Sequence, residues 1–161
     1  MSVIVSDTGP LHYLILCDAD WILPRLFIKI LIPPTVFAEL VHANAPAMAG
    51  RWARNLPAWV AIQKPTSLDL SLNLDQGEIE AICLARETKA LAILMDDLKG
   101  RNAALRCGLR VTGTIGVLDA AAARGWIDLP ATVEKLRRTN VRLDPKIIAL
   151  ALERDRARRG R

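Results

Sequence analysis

The chain has 161 residues, 52% of them apolar, and a formal net charge of +5. That length allows one domain with a sizeable core, and the apolar share excludes a disordered chain. Aromatics make up only 4%, so Ala, Leu, Ile and Val dominate the apolar set, as expected of helices packed on a buried sheet.

In chain order, residues 2–6 are apolar and β-branched and predict a first strand that delivers Asp7 at its exit. Gly9-Pro10 punctuates before a helix over residues 11–17. A short helix over 20–26 and a strand over 28–32 follow, ended by Pro33-Pro34. Pro34 suits a helix start, and Val36, Phe37, Leu40 and Val41 carry helical spacing over 35–42. Further elements are a helix over 47–55, a strand over 59–63, a polar segment of low order over 66–73 and a helix over 76–88. Then come strand 91–95, helix 99–107, strand 109–112 and helices over 115–124, 129–139 and 145–157. Strand and helix in alternation predict a parallel sheet with helices on both faces. No interdomain linker is visible, so residues 1–161 read as one domain, with a core of about 2–125 and C-terminal helices and a basic tail over 128–161.

No window approaches the roughly 18 unbroken apolar residues of a membrane span, because Asp18 and Asp20 interrupt the run around Leu14-Ile15-Leu16. The first apolar run has no basic residues before it and contains Asp7, so no secretory signal is expected. Cys17, Cys83 and Cys107 are odd in number and lack metal-ligand spacing; they read as reduced cysteines of a cytoplasmic protein.

The chemistry lies in the acids. Leu91-Ala92-Ile93-Leu94-Met95 runs into Asp96-Asp97 as the first strand runs into Asp7. In an open α/β sheet, ligands bind at the carboxyl ends of strands, so two such exits imply an acidic site there. Asp75-Gln76-Gly77-Glu78 fits a capping box, with Asp75 as N-cap and Glu78 reaching back. Glu78 also shares a helical face with Ala81, Ile82 and Ala85, the small apolar face that packs on a sheet, so it is equally a site carboxylate. Glu80 lines up instead with Cys83, Leu84 and Glu87. Glu39 shares a turn with Val36 and Leu40 and is the fourth candidate. Converging carboxylates repel one another, and an all-oxygen set without His or Cys points to a hard cation, Mg²⁺ or Mn²⁺.

From Arg137 onward nine Lys or Arg residues face only Asp144, Glu153 and Asp155. The run from Arg154 to Arg161 reads as a frayed basic tail, either a solvated helix end or an arm for phosphates. The Trp-bearing segment with Trp52 and Trp59 is either core or interface.

Several stretches together resemble the PIN-domain family, in the branch of small prokaryotic proteins related to VapC-type toxins. They are Ser6-Asp7-Thr8-Gly9-Pro10-Leu11, Ile32-Pro33-Pro34 with Glu39-Leu40, Asp75-Gln76-Gly77-Glu78 with Ala81-Ile82, and Asp96-Asp97-Leu98-Lys99-Gly100-Arg101 followed by Val111 to Leu118. The resemblance implies a three-layer α/β/α sandwich with a mainly parallel sheet and a metal-dependent ribonuclease. It maps the catalytic acids onto Asp7, Glu39, Glu78 and Asp96, with Asp7, Glu78 and Asp96 as ligands of Mg²⁺ or Mn²⁺. The third position is commonly Asp in the toxins and is Glu here, which leaves Glu78 and Glu80 as alternatives. Asp97, Thr112 and Thr114 match secondary positions beside the site, and Lys99 and Arg101 are candidates for the RNA backbone. The resemblance further implies an antitoxin partner and a homodimer.

Two other Asp-first folds fit worse. A haloacid-dehalogenase-like phosphatase needs a second acid where Gly9 stands, and a receiver domain needs adjacent acids at the first strand exit. A non-catalytic regulatory protein on the same scaffold remains the alternative, because fold does not dictate function.

Overall fold

Side chains along the strands alternate between two cores, and this fixes the layers. Ile4, Ile30, Ile32 and Leu94 enter one hydrophobic cluster, while Val5, Leu31, Ile93 and Met95 enter another on the opposite face. The computed structural model describes residues 2–161. Its strands are β1 (Val3–Ser6), β2 (Lys29–Ile32), β3 (Val60–Ile62), β4 (Ile93–Leu94) and β5 (Val111–Thr112), all paired in parallel. Their order is β3-β2-β1-β4-β5.

The first face is covered by α1 (Thr8–Leu16), α2 (Leu23–Leu26), α3 (Pro34–Val41) and α4 (Ala47–Arg54). It also carries α7 (Thr114–Ala123), α8 (Leu129–Arg137) and α9 (Pro145–Arg159). On the second face lie α5 (Gln76–Glu87) and α6 (Leu98–Arg106), through Ala81, Ile82, Leu84, Ala85, Ala103 and Ala104. Small residues on those helices let them sit close to the short strands. The result is the expected α/β/α sandwich.

This strand order positions the site. From β1 the chain winds outward through β2 and β3, then returns to build β4 and β5 on the other side of β1. The direction of winding therefore reverses between β1 and β4, which opens a crevice at their carboxyl ends. Asp7 follows β1 directly, and Asp96 lies two residues beyond β4.

Several expectations need correction. Gly9-Pro10 does not separate β1 from its helix, since α1 begins at Thr8 and holds both residues in its first turn. Pro is tolerated there because the first-turn amides have no intrahelical acceptor to lose. The run from Arg154 is not a frayed tail, as α9 continues to Arg159. Arg158 pairs with Asp119 of α7 at 2.7 Å, and Arg159 pairs with Asp155, which is only 4% exposed. The segment over 66–73 contains a 3-10 turn, Leu70–Leu72, and is pinned by the Glu87 carboxylate, which accepts from Thr66 and Ser67. Trp52 and Trp59 pack against the first core with ring centroids 6.0 Å apart, and the Trp52 indole donates to Asp20 at 3.1 Å. Among the described residues no helix is long and apolar enough to cross a membrane.

Candidate active site

Asp7 is placed through its backbone groups. Its amide donates to the Leu94 carbonyl beyond the strand pairing at 2.9 Å, and the buried Ser6 hydroxyl donates to the Asp7 carbonyl at 2.8 Å. Asp7 is the N-cap residue of α1 but makes no side-chain capping bond, so its carboxylate is left for other work. Burial pushes its pKa up to about 7. The nearby charges of Glu78, Asp75 and Glu39 push the same way, against the Thr8 amide.

Glu39 projects from α3 toward this group and accepts a hydrogen bond from the Thr8 hydroxyl. Burial raises its pKa, Asp75 and Glu80 add to the rise, and the Thr8 hydroxyl opposes it. The first turn of α5 comes up against it at Gly77, where a Cβ would lie 2.8 Å from Glu39 Oε1. Glycine at this position lets two acid-bearing helices approach.

The forward half of the expected capping box is formed, Asp75 Oδ1 accepting the Glu78 amide at 2.9 Å, and the Asp75 amide lies near enough to the Glu78 carboxylate to oppose the rise in its pKa. Glu78 is 8% exposed. Burial lifts its pKa to about 7, with the charges of Asp75 and Asp97 adding to the rise. Glu80 is buried too, and it is engaged with α3 beside Glu39. Its carboxylate accepts from the Thr35 hydroxyl and, at 3.5 Å, from the Thr35 amide, tying α5 to the start of α3. That bond gives Glu80 a partner on α3, whereas the neighbour of the Glu78 carboxylate is Asp75 at the start of its own helix.

Asp96 stands on the other side of the crevice. Its Oδ1 accepts the Thr114 amide at 2.8 Å and its Oδ2 the Thr114 hydroxyl at 2.7 Å, at the N-terminus of α7. Burial raises its pKa, while Thr114 and then Arg101 pull it down. Arg101 folds back to donate to the Met95 carbonyl at 2.9 Å. A Cβ on Gly113 would lie 2.5 Å from Asp96 Oδ1 and 2.8 Å from Arg101 Nη1, so only glycine fits between them. Asp97 points elsewhere and caps α6, its Oδ2 accepting the Gly100 amide at 3.0 Å. Thr112 lines the same cleft as Asp7 and Asp96, while Lys99 is exposed on the first turn of α6.

Asp7, Glu39 and Glu78 thus form one electrostatic group centred on Asp7, Asp96 follows the neighbouring strand, and Glu80 reaches the group only through Glu39. Asp75 belongs to the group as well, since it raises the pKa of all three. Sequence reasoning saw Asp75 only as a cap; its place one helical turn before Glu78 was the available signal.

A family model described as a PIN domain (DUF3368) matches residues 3–156. The chain belongs to the PIN-domain family. Among solved structures, it is similar to a PilT N-terminus domain protein from the hyperthermophilic archaeon Sulfolobus solfataricus P2. The identity is 18% and the TM-score 0.52, over 75% of this chain and 93% of that one, a likeness of fold. No curated protein matches the chain at a significant level.

PIN domains are in general nucleases and typically use divalent metal ions. In this PIN domain, no three Asp, Glu, His or Cys side chains among the described residues stand close enough to hold one ion as they are placed. The donor set nevertheless fits such an ion in kind. The group offers carboxylate oxygens only, and no salt bridge among the described residues reaches Asp7, Glu39 or Glu78. Buried carboxylates with raised pKa values and no basic partner are what a hard cation compensates.

Proposed function

We propose that this PIN protein is an endoribonuclease dependent on Mg²⁺ or Mn²⁺, and the toxin of a toxin–antitoxin pair. One observation carries the reading: Asp7 and Glu78 are crowded and buried at the reversal of strand winding, with pKa values near 7 and no basic partner. Asp7, Glu78 and Asp96 would hold the ion, which when bound polarises the phosphodiester and lowers the pKa of an attacking water. Glu39, fixed by the Thr8 hydroxyl, orients that water. Arg101, anchored on the Met95 carbonyl, presents its remaining N–H groups to the phosphoryl oxygens, where charge develops. Both histidines lie outside these roles; His12 is half-buried and burial lowers its pKa.

The toxin assignment rests on the four motif stretches that resemble VapC-type proteins. With it go a cytoplasmic setting, a small antitoxin protein covering the acidic edge, and a homodimer.

The test is cleavage of single-stranded RNA with Mg²⁺ or Mn²⁺. EDTA is expected to stop it, and Asp7→Asn to remove nearly all of it while the fold is kept. Cleavage that survives both treatments overturns the metal mechanism. A folded protein that binds Mn²⁺ and cleaves no nucleic acid supports the regulatory alternative instead.

A further inference from the structure

The cleft that begins at Asp7 and Asp96 does not end with them. It has a volume of about 640 Å³, within the range of ligand sites, and its far wall comes from the C-terminal segment through Arg142, Ile147 and Arg154. We propose that this cleft seats single-stranded RNA, with Arg142 and Arg154 on backbone phosphates and Leu98 and Ile147 against a base. The proposal rests on the nuclease reading and adds to it where the strand runs.

The balance of charge supports the two arginines. Arg154, Arg158 and Arg159 share only Asp119 and Asp155, so one positive charge is left over. Arg154 is the one that lines the cleft; it lies 3.2 Å from Asp119 with its side chain 56% exposed. Arg142 is exposed and makes no salt bridge among the described residues. Its backbone is placed by the Tyr13 hydroxyl, which accepts the Arg142 amide at 3.5 Å. The acid on this wall, Asp144, is engaged as the cap of α9, accepting the Lys146 amide at 2.9 Å.

Distance and polarity also suit a nucleotide chain. Asp119, which holds Arg154, is five residues along α7 from Thr114, which holds Asp96, or about 7.5 Å of helix rise. The same cleft is lined by Leu98, 70% exposed, and Ile147, 43% exposed. Cations along the cleft suit the charged backbone of a single strand, and the exposed apolar side chains offer surface that the face of a base can cover.

The experiment uses the full chain carrying Asp7→Asn, so that bound RNA is not cleaved. Binding of a fluorescent single-stranded RNA is measured with Mg²⁺ from 50 to 200 mM salt, with and without Arg142→Gln and Arg154→Gln together. Removing one phosphate-binding cation flattens the slope of log affinity against log salt by about 0.7, so the pair should flatten it by about 1.4. Over that fourfold salt range the doubly substituted protein should then lose about sevenfold less affinity than its parent. Arg142→Lys with Arg154→Lys should restore the slope. If the double substitution impairs folding, Arg142→Gln alone, which breaks no side-chain bond, should give half the change. An unchanged slope, or no RNA binding by the Asp7→Asn parent, overturns the proposal. Cleavage by the unsubstituted protein is scored separately: cleavage with an unchanged slope removes the cleft assignment only, and a changed slope without cleavage removes the nuclease reading only.

Discussion

Thr114 holds both oxygens of Asp96, the amide on Oδ1 and the hydroxyl on Oδ2. The carboxylate therefore joins the end of the β4 segment to the start of α7, where the positive end of the helix dipole also favours it. The same two bonds fix its rotamer and oppose the burial that raises its pKa, so Asp96 is held in place with a pKa still above the ordinary carboxylate value.

Thr114→Val should separate these roles, because it keeps the shape and the amide bond and removes only the hydroxyl. Thr114 is fully buried, so no water takes the place of its hydroxyl on that side of Oδ2. A hydrogen bond to a charged group is worth about 1.5 to 3 kcal/mol, and urea unfolding should show a loss of that order. Nuclease activity should fall with it, while Thr114→Ser should keep most of both. Equal stability of the Val and wild-type proteins counts against the assigned bond.

Glu78 and Glu80 lie two residues apart on α5 and should behave oppositely. Glu78→Gln removes a carboxylate from the acidic group and should abolish Mn²⁺ binding, read by calorimetry. It should leave the fold intact or more stable, because it removes a buried negative charge. Glu80→Gln breaks a bond to Thr35 that joins two helices and should lower the unfolding midpoint while Mn²⁺ still binds. The reverse pattern would make Glu80 the ligand.

That distinction marks where the sequence stops being readable. The strands and their faces were legible because Ile4-Val5 and Ile30-Leu31-Ile32 are apolar at every position, as strands buried on both sides must be. Asp7 and Asp96 were legible as strand-end acids. Which of two glutamates in one helix turn faces the site depends on how α5 is rotated against α3, a tertiary property. Asp75 was hidden because its capping role explained it fully. The end of α9 was misread because its charges find partners, Asp119 above all, that lie about 35 residues upstream. Local composition cannot separate a docked arginine helix from a solvated one.

The raised carboxylates set a pH dependence with a definite sign. Asp7 rises from 3.8 to about 7 and Glu78 from 4.5 to about 7, so the folded protein holds these protons more tightly than the unfolded chain. The stability they contribute is complete below their unfolded values and is lost as pH rises through about 7. His12, lowered from 6.5 by burial, acts in the other direction, because below that value the unfolded chain takes up its proton first. Comparing wild type with Asp7→Asn cancels His12 and isolates Asp7. In the metal-free state Asp7→Asn should be the more stable protein at pH 8, with the gap narrowing toward pH 5, where Asp7 is itself protonated. Adding Mn²⁺ at pH 8 should raise the melting temperature of wild type more than that of the variant, because the ion replaces the missing protons as the compensating charge. Melting curves at pH 5 and pH 8, with and without Mn²⁺, decide it. A gap that does not change with pH would mean that Asp7 is not the strained carboxylate at the centre of this site.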